Sequence, residues 1–438
     1  MQRIPISMKS PRLFLPYPPA IHLFLLLLSG CAGVAQKPSK PIITEVLDPK
    51  PIKVEVAQLP PPSDEKESAS KQPKVDAPPD HPVLRAPKGF QVTLYAEDLQ
   101  KPRWLALTPD GGVLVTETRR NRIQLLRDTN GDGAADERST FADESNGLNI
   151  PFGMSFSDNH FFLGNTDAVL RFPFQKGQTK LEGKGEKITD LPGGGYNQHW
   201  TRNVRVSPDG RHLFVTVGSK SNAEVEDAPR ASVLRMNLDG SDRKTFADGL
   251  RNPVGLDFHP QTGDVHVTVN ERDKIGDDLV PDYLTRIREG EFYGWPWAYF
   301  TPQHLDPRHL NGGQSTNPQA VAKTKMPDVL VEAHSAMLGL AFSKGDKFPA
   351  KYRNGAFAAL RGSWNRSEGT GYKIIFIPFG GDHRPLGHYE DFVTGFLTDP
   401  KRPSTWGRPV GVIALPDGSL LFTEEENQRI YRVSYGGE

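Results

Sequence analysis

Four stretches of the sequence carry side chains able to do chemistry. In Gly193-Gly-Gly-Tyr-Asn-Gln-His199-Trp-Thr-Arg202 a glycine-rich run delivers a histidine and an arginine to the start of a strand. A histidine so placed can serve as a general base near neutral pH, or it can be an ordinary solvated loop residue. In Gly249-Leu-Arg251-Asn252-Pro253-Val-Gly255 a cation and an amide precede a proline-fixed turn. The acidic loops Asn270-Glu-Arg-Asp273 and Gly276-Asp-Asp278 follow, suited to a hard cation such as Ca²⁺ or, equally, to a solvated turn. Arg361-Gly-Ser-Trp-Asn-Arg366 and Trp406-Gly-Arg408 set guanidinium groups beside indoles, an arrangement that can hold a planar anion by ion pairing and stacking. Separately, Asp128-Thr-Asn130-Gly-Asp132-Gly-Ala-Ala-Asp136 has the spacing of the first half of an EF-hand calcium loop, with Ser139 where the bidentate glutamate would stand. It reads as a structural calcium turn or as a plain Asx-rich turn.

These loops hang on a repeated element. Leu107-Thr-Pro-Asp-Gly-Gly-Val-Leu-Val-Thr-Glu117 returns as Val206-Ser-Pro-Asp-Gly-Arg-His-Leu-Phe-Val-Thr216 and as Leu415-Pro-Asp-Gly-Ser-Leu-Leu-Phe-Thr423, and more weakly as Phe258 to Thr268. Each copy is an apolar run, a tight polar turn and an alternating strand, which is a β-hairpin. Degenerate copies at Met154 to Asn165 and Leu338 to Leu360 raise the count to six. A hairpin recurring at such spacing predicts an all-β, six-bladed β-propeller over residues 88–438, rather than a solenoid. Gln91 to Tyr95 is expected to complete the last blade beside Tyr431 to Val433 and so close the ring.

The first ninety residues read differently. Arg3, Lys9 and Arg12 precede the apolar run Ile21 to Leu28, which ends in Leu28-Ser-Gly-Cys31. The run is too short to cross a bilayer, which takes ~20 residues, and has the layout of a signal peptide over residues 1–30. Leu-Ser-Gly-Cys resembles a bacterial lipobox, which implies that Cys31, the single cysteine, is lipidated. Ala32 after it points to the periplasmic face of a Gram-negative outer membrane. Residues 31–87 hold twelve of the 39 prolines and almost no aromatics, so they are expected to form a disordered tether. Lys+Arg and Asp+Glu are both 53, which leaves no cationic excess for a nucleic acid partner.

Taken together, the phrases NQHWTRN, VTVGSKSN, GLRNPVGL, VNERD, GDDLVPDYLT, GEFYGWP, GSWNR and WGRPVGV resemble the glucose/sorbosone dehydrogenase family, its sorbosone branch most closely, over roughly Gly89 to Gly436. The resemblance implies a soluble propeller quinoprotein that oxidises an aldose or related aldehyde with pyrroloquinoline quinone (PQQ) and Ca²⁺. It implies further that His199 is the general base, and that Arg251 and Asn252 lie against the cofactor. Arg251 would also stabilise the oxyanion on the reduced quinone. Main-chain oxygens of Arg272 and Asp273 would bind the cofactor calcium, and Arg366 and Arg408 would pair with PQQ carboxylates. Gln198 stands where the family's glucose enzyme has an acidic residue before the base, and the calcium turn lacks that enzyme's Gly-Pro, so the resemblance does not extend to glucose as substrate.

No CxxCH haem motif is present, so electrons would pass to a separate quinone or cytochrome partner. Two other functions fit a six-bladed propeller: a calcium-dependent lactonase-like hydrolase and a sugar-binding module without catalysis.

Overall fold

In the computed structural model, residues 41–193 and 199–437 are described. The segment read as a signal peptide, Cys31 and Gln198 lie outside the described residues.

Six antiparallel sheets carry the fold, and each begins with one of the six hairpins. The first holds Leu105–Leu107, Val113–Glu117, Arg122–Arg127 and Glu137–Ala142; the second Met154–Phe156, His160–Gly164, Ala168–Pro173 and Glu186–Asp190. The third holds Val204–Val206, His212–Val217, Ser232–Asn237 and Lys244–Asp248, with Glu291–Phe292 added in parallel at its edge. The fourth runs Asn252–Phe258, Val265–Asn270, Asp282–Ile287 and Val329–Val331; the fifth Met337–Phe342, Gly355–Leu360, Lys373–Pro378 and Glu390–Val393. The sixth joins Pro409–Ala414, Leu420–Glu424 and Arg429–Tyr435 to Phe90–Ala96, in the register Val433 to Val92. The closing strand predicted at Gln91 to Tyr95 is therefore in place.

The first strands of the six sheets touch in a closed cycle, sheet to sheet in chain order and back to the first. Their packing produces a central plug of Trp104, Phe152, Val254, Leu338 and Val410. Burying a Val or Leu of this plug contributes roughly 1.5–3 kcal/mol. Because the first two strands of every sheet are antiparallel, the start of the first and the end of the second lie on one face of the ring. Loops at those twelve points are thereby brought together above the plug.

One expectation is overturned. From Pro41 onward the proline-rich stretch is an ordered strap, not a disordered tether. Ile43–Leu47 pairs in parallel with Val83–Pro87, Ile52 bridges Tyr389, and Lys74–Val75 pairs with Ser404–Thr405. Glu65 forms an ion pair of 2.6 Å with Arg272, and the Lys71 amide donates to the Trp364 carbonyl at 2.7 Å. The composition argument considers only what a segment can bury against itself. Here Val54, Val56 and Leu59 pack onto the core of the third and fourth sheets, and extended proline-bearing chain costs little further entropy to lay down.

Candidate active site

A cavity of about 430 Å³ opens above the plug, lined at its floor by Val254 and Leu338. Its sides are polar and come from the strand starts and strand ends just described. Two walls face each other across it.

The first wall belongs to the third and fourth sheets. His199 Nδ1 lies 2.8 Å from the Ser219 carbonyl, which can only accept, so the ring carries its proton on Nδ1 and Nε2 keeps a lone pair that meets no donor among the described residues. Burial, and after it the Arg251 charge, push this imidazole down to about 3, so it is neutral at physiological pH. A Cβ on Gly218 would stand 2.3 Å from Asn252 Oδ1 and 2.6 Å from His199 Cβ, so only glycine lets the histidine and the amide sit side by side. Asn252 Oδ1 and Thr201 Oγ1 are buried without a partner among the described residues, and both residues line the cavity.

Arg251 lines the same wall, but its donors are used within the protein. Its guanidinium pairs with Asp273 Oδ2 at 2.6 Å, reaches Asn222 at 3.0 and 3.1 Å, and donates to the Glu271 carbonyl. It is the clamp of the Asn270 to Asp273 turn, and offers a ligand charge rather than free N–H groups. Beside it, burial raises the Glu271 carboxyl to about 8 and that of Asp282 to about 6. His334 Nδ1 faces Asp273 at 3.4 Å and its Nε2 faces the Gly276 carbonyl at 2.8 Å; these acceptors, Asp273 foremost, outweigh burial and raise its pKa.

The second wall comes from the first, fifth and sixth sheets. Lys101, Arg103, Arg119, Arg361, Glu425 and Glu426 line it. Buried Glu425 bridges Arg103 and Arg361, and despite its burial those two cations hold its carboxyl down at about 2. Lys101 pairs with Glu426 at 3.0 Å. Trp200 reaches over from beside His199, with the Arg103 and Arg119 guanidinium groups 5.1 and 5.2 Å from its ring centre.

Of the residues singled out in the sequence, His199, Arg251, Asn252, Asn270, Asp273 and Arg361 meet at this cavity. Arg272 points away from it, buried between Asp306 at 2.5 Å and Glu65. Its carbonyl accepts the Val280 amide, and that of Asp273 accepts Asn222 Nδ2 at 2.9 Å. Arg366 is outside the lining, tied to Asp278 at 2.9 Å and to the Asp277 carbonyl. Arg408 lies behind the lining, donating at 3.2 and 3.1 Å to the carbonyls of Arg361 and Gly362, over the Tyr372 ring. Arg361, not Arg408 or Arg366, presents its charge to the cavity.

The Asp128 to Asp136 loop is elsewhere, on the outer part of the first sheet. Asp128 accepts the Gly131 and Gly133 amides at 2.8 and 2.9 Å, Asp132 that of Ala134 at 2.8 Å, and Asp136 those of Thr129 and Asn130 at 3.0 and 3.1 Å. Among the described residues no three His, Cys, Asp or Glu side chains converge to hold a metal ion.

Sequence reasoning missed Lys101, Arg103, Arg119, Glu425 and His334, and named Arg361 only within a phrase whose family role it gave to Arg366. A signal was available in the repeat itself. Arg119, Arg361 and Glu425 each come one or two residues after the second strand of a hairpin, as Glu271 does in the fourth sheet.

A closed ring of six β-sheets carrying one charged, histidine-bearing cavity on the face where strand starts and ends meet defines a ring-type β protein with an enzyme-like site. The chain belongs to the TrAA12-like family, whose model matches residues 84–282 and 302–436. It is 30% identical over 373 residues to an uncharacterized protein of Borreliella burgdorferi, covering 81% of this chain and 91% of that one. It is 22% identical to a pyrroloquinoline quinone-dependent pyranose dehydrogenase of Coprinopsis cinerea, over 78% of this chain and about half, 53%, of the relative's length. Among solved structures it resembles the calcium structure of Trichoderma reesei carbohydrate-active enzymes family AA12, with a TM-score of 0.69, 18% identity and coverage of 84% and 99% of the two chains.

Proposed function

We propose that this protein is a PQQ-dependent dehydrogenase of sugars or related aldehydes, of the sorbosone type, and that its ring is a six-bladed propeller with the cavity at the channel mouth. The observation that carries this reading is His199, neutral, proton on Nδ1, with its Nε2 lone pair meeting no donor among the described residues. Support comes also from the Coprinopsis relative, named for PQQ and pyranoses, and from the calcium-bound Trichoderma structure.

The residues present fit a flat, polycarboxylated quinone. The orphaned Asn252 Oδ1 and Thr201 Oγ1 are ready for polar partners, Arg361 offers a cation steadied from behind by Arg408, and Arg251 adds charge from below. For Ca²⁺ the Glu271 to Asp273 turn fits less well: its three carbonyls already accept hydrogen bonds and the Asp273 carboxylate is paired with Arg251, so a cation would have to take the second lone pairs of those carbonyls. Bound PQQ would supply the two-electron acceptor for the hydride leaving the substrate carbon. His199 Nε2 accepts the hydroxyl proton of the same substrate carbon. Its proton affinity rises as negative charge enters the cavity, since its pKa is lowered partly by Arg251. The Ser219 carbonyl keeps the ring from flipping to the unproductive tautomer.

Reconstitution of the purified full chain with PQQ and Ca²⁺ tests the reading. Dye reduction by aldoses or aldehydes should appear only when both are added. Lactone hydrolysis without PQQ would instead assign a hydrolase, and saturable sugar binding with no turnover a binding module. We further propose that Cys31 is lipidated and holds the protein at a bacterial outer membrane, passing electrons to a separate acceptor. In that case Cys31→Ser moves the protein from the membrane fraction to the soluble one.

A further inference from the structure

The cations lining the cavity are not equivalent. Lys101 is paired with Glu426, Arg103 and Arg361 with Glu425, and Arg251 with Asp273. Arg119 alone among them has no carboxylate partner in the described residues, yet it is not a loose surface arginine. It sits in the 3-10 turn Thr118–Arg120, and Thr118 is buried with its hydroxyl donating to the Pro151 carbonyl at 2.8 Å. The next residue, Asn121, adopts a left-handed conformation and accepts the Ile150 amide at 2.7 Å. The turn is thus pinned to the start of the second sheet. The guanidinium itself rests over Trp200, the neighbour of the base His199.

An arginine laid over an indole leaves the N–H edge of its planar fork free for a carboxylate, with little side-chain entropy still to lose. We propose that Arg119 recognises a carboxylate on the substrate, so that the preferred substrates are acidic sugars of the uronic acid type, held with the carboxylate on Arg119 and the reacting carbon toward His199. The substrate, rather than the cofactor, is the source of that carboxylate because Arg119 is exposed at the cavity mouth, whereas Arg251 and Arg408 are buried deeper. A neutral sugar leaves this cation unpaired. The inference rests on the dehydrogenase reading above for the meaning of "substrate", but the binding site it describes is testable without turnover.

The experiment uses the full chain loaded with PQQ and Ca²⁺, with D-glucuronate and D-glucose as probes, for wild type, Arg119→Met and Arg119→Lys. The wild type should favour glucuronate in kcat/KM by about tenfold or more, and Arg119→Met should lower that ratio by about tenfold, chiefly through KM. Arg119→Lys should recover part of it, since a point charge replaces a fork. Calorimetric titration with glucuronate should show the same order of affinities, and fluorescence titration with PQQ should give equal affinity for all three proteins. A wild type that favours glucose, or a ratio unmoved by Arg119→Met, overturns the proposal. So does a fall in PQQ affinity matching the fall in kcat/KM, which would assign the carboxylate to the cofactor. Arg119-dependent glucuronate binding without turnover of any sugar would sink the dehydrogenase reading and leave the acid-binding site standing.

Discussion

The two walls of the cavity solve the problem of buried charge in opposite ways. On the His199 wall the charged groups come from neighbouring stretches of the third and fourth sheets and satisfy one another, leaving only neutral atoms such as Asn252 Oδ1 and Thr201 Oγ1 open: every direction of the Arg251 guanidinium meets an acceptor, and Asp273 answers both Arg251 and His334. On the facing wall the groups come from the first, fifth and sixth sheets, from opposite ends of the ring sequence, and the pairing stops short: among the described residues Arg119 meets no carboxylate and the Arg103 Nε no acceptor. A wall whose charges are closed on themselves positions chemistry. A wall left incomplete is where a ligand finishes the pairing.

The comparison breaks most sharply at the base. His199→Ala should cut saturated turnover by ~10²–10⁴ while PQQ titration stays near wild type, because general-base assistance is worth about that much. Turnover within a fewfold of wild type would place the proton acceptor elsewhere and leave the first wall purely structural.

Next in size is the cost of breaking each wall's central pair. Asp273→Asn leaves the buried Arg251 cation without a counter-charge, for which ~3–5 kcal/mol of unfolding free energy is expected in urea titration. Glu425→Gln should cost less, since Arg361 can relax toward Glu426, 4.0 Å away. Equal losses would show that the second wall is as tightly built as the first. Acid sharpens the contrast. Glu425 titrates at about 2 in the fold and near 4.5 when unfolded, so its stabilisation is complete above pH 4.5 and disappears as pH falls toward 2. Between those values Glu425→Gln should lose less stability than wild type. Parallel curves would remove the ion bridge from the account.

The smallest effect lies outside both walls. Asp132→Ala removes one turn-closing acceptor from the Asp128 to Asp136 loop and should cost about 1 kcal/mol, as loss of a cap does. Since that loop is already closed by its own amides, EDTA should shift the melting temperatures of wild type and variant equally. A wild-type shift larger than the variant's would restore a structural calcium there.

The same contrast explains what was legible in the sequence. Hairpins are local, so their polar turns, Pro-Asp-Gly in three of the six, and alternating strands revealed all six sheets, and the strand pattern at Gln91 to Tyr95 the closing one. His199, Arg251 and Asn252 were legible because glycine and proline around them mark the strand starts that face the cavity. The second wall was not, because Arg103 and Glu425 meet only through ring closure and no spacing rule links them. Arg366 and Arg408 illustrate the converse: a motif names a side chain but does not say which way it points. The strap was misread because composition tests for a private core, and this segment borrows one.

The seam between Phe90–Ala96 and Arg429–Tyr435 has a consequence for how the protein is made. Val92 cannot find Val433 until the whole ring between them has been synthesised, which at ~5–20 residues per second is tens of seconds. Over that interval the first strand is an unpaired edge, open to pairing with other chains. Arg103 and Glu425 lie just inside the same seam, so the second wall is assembled at the moment the ring shuts. A chain that has not finished folding therefore has no complete cavity, and binding competence is withheld until the last strand is in register.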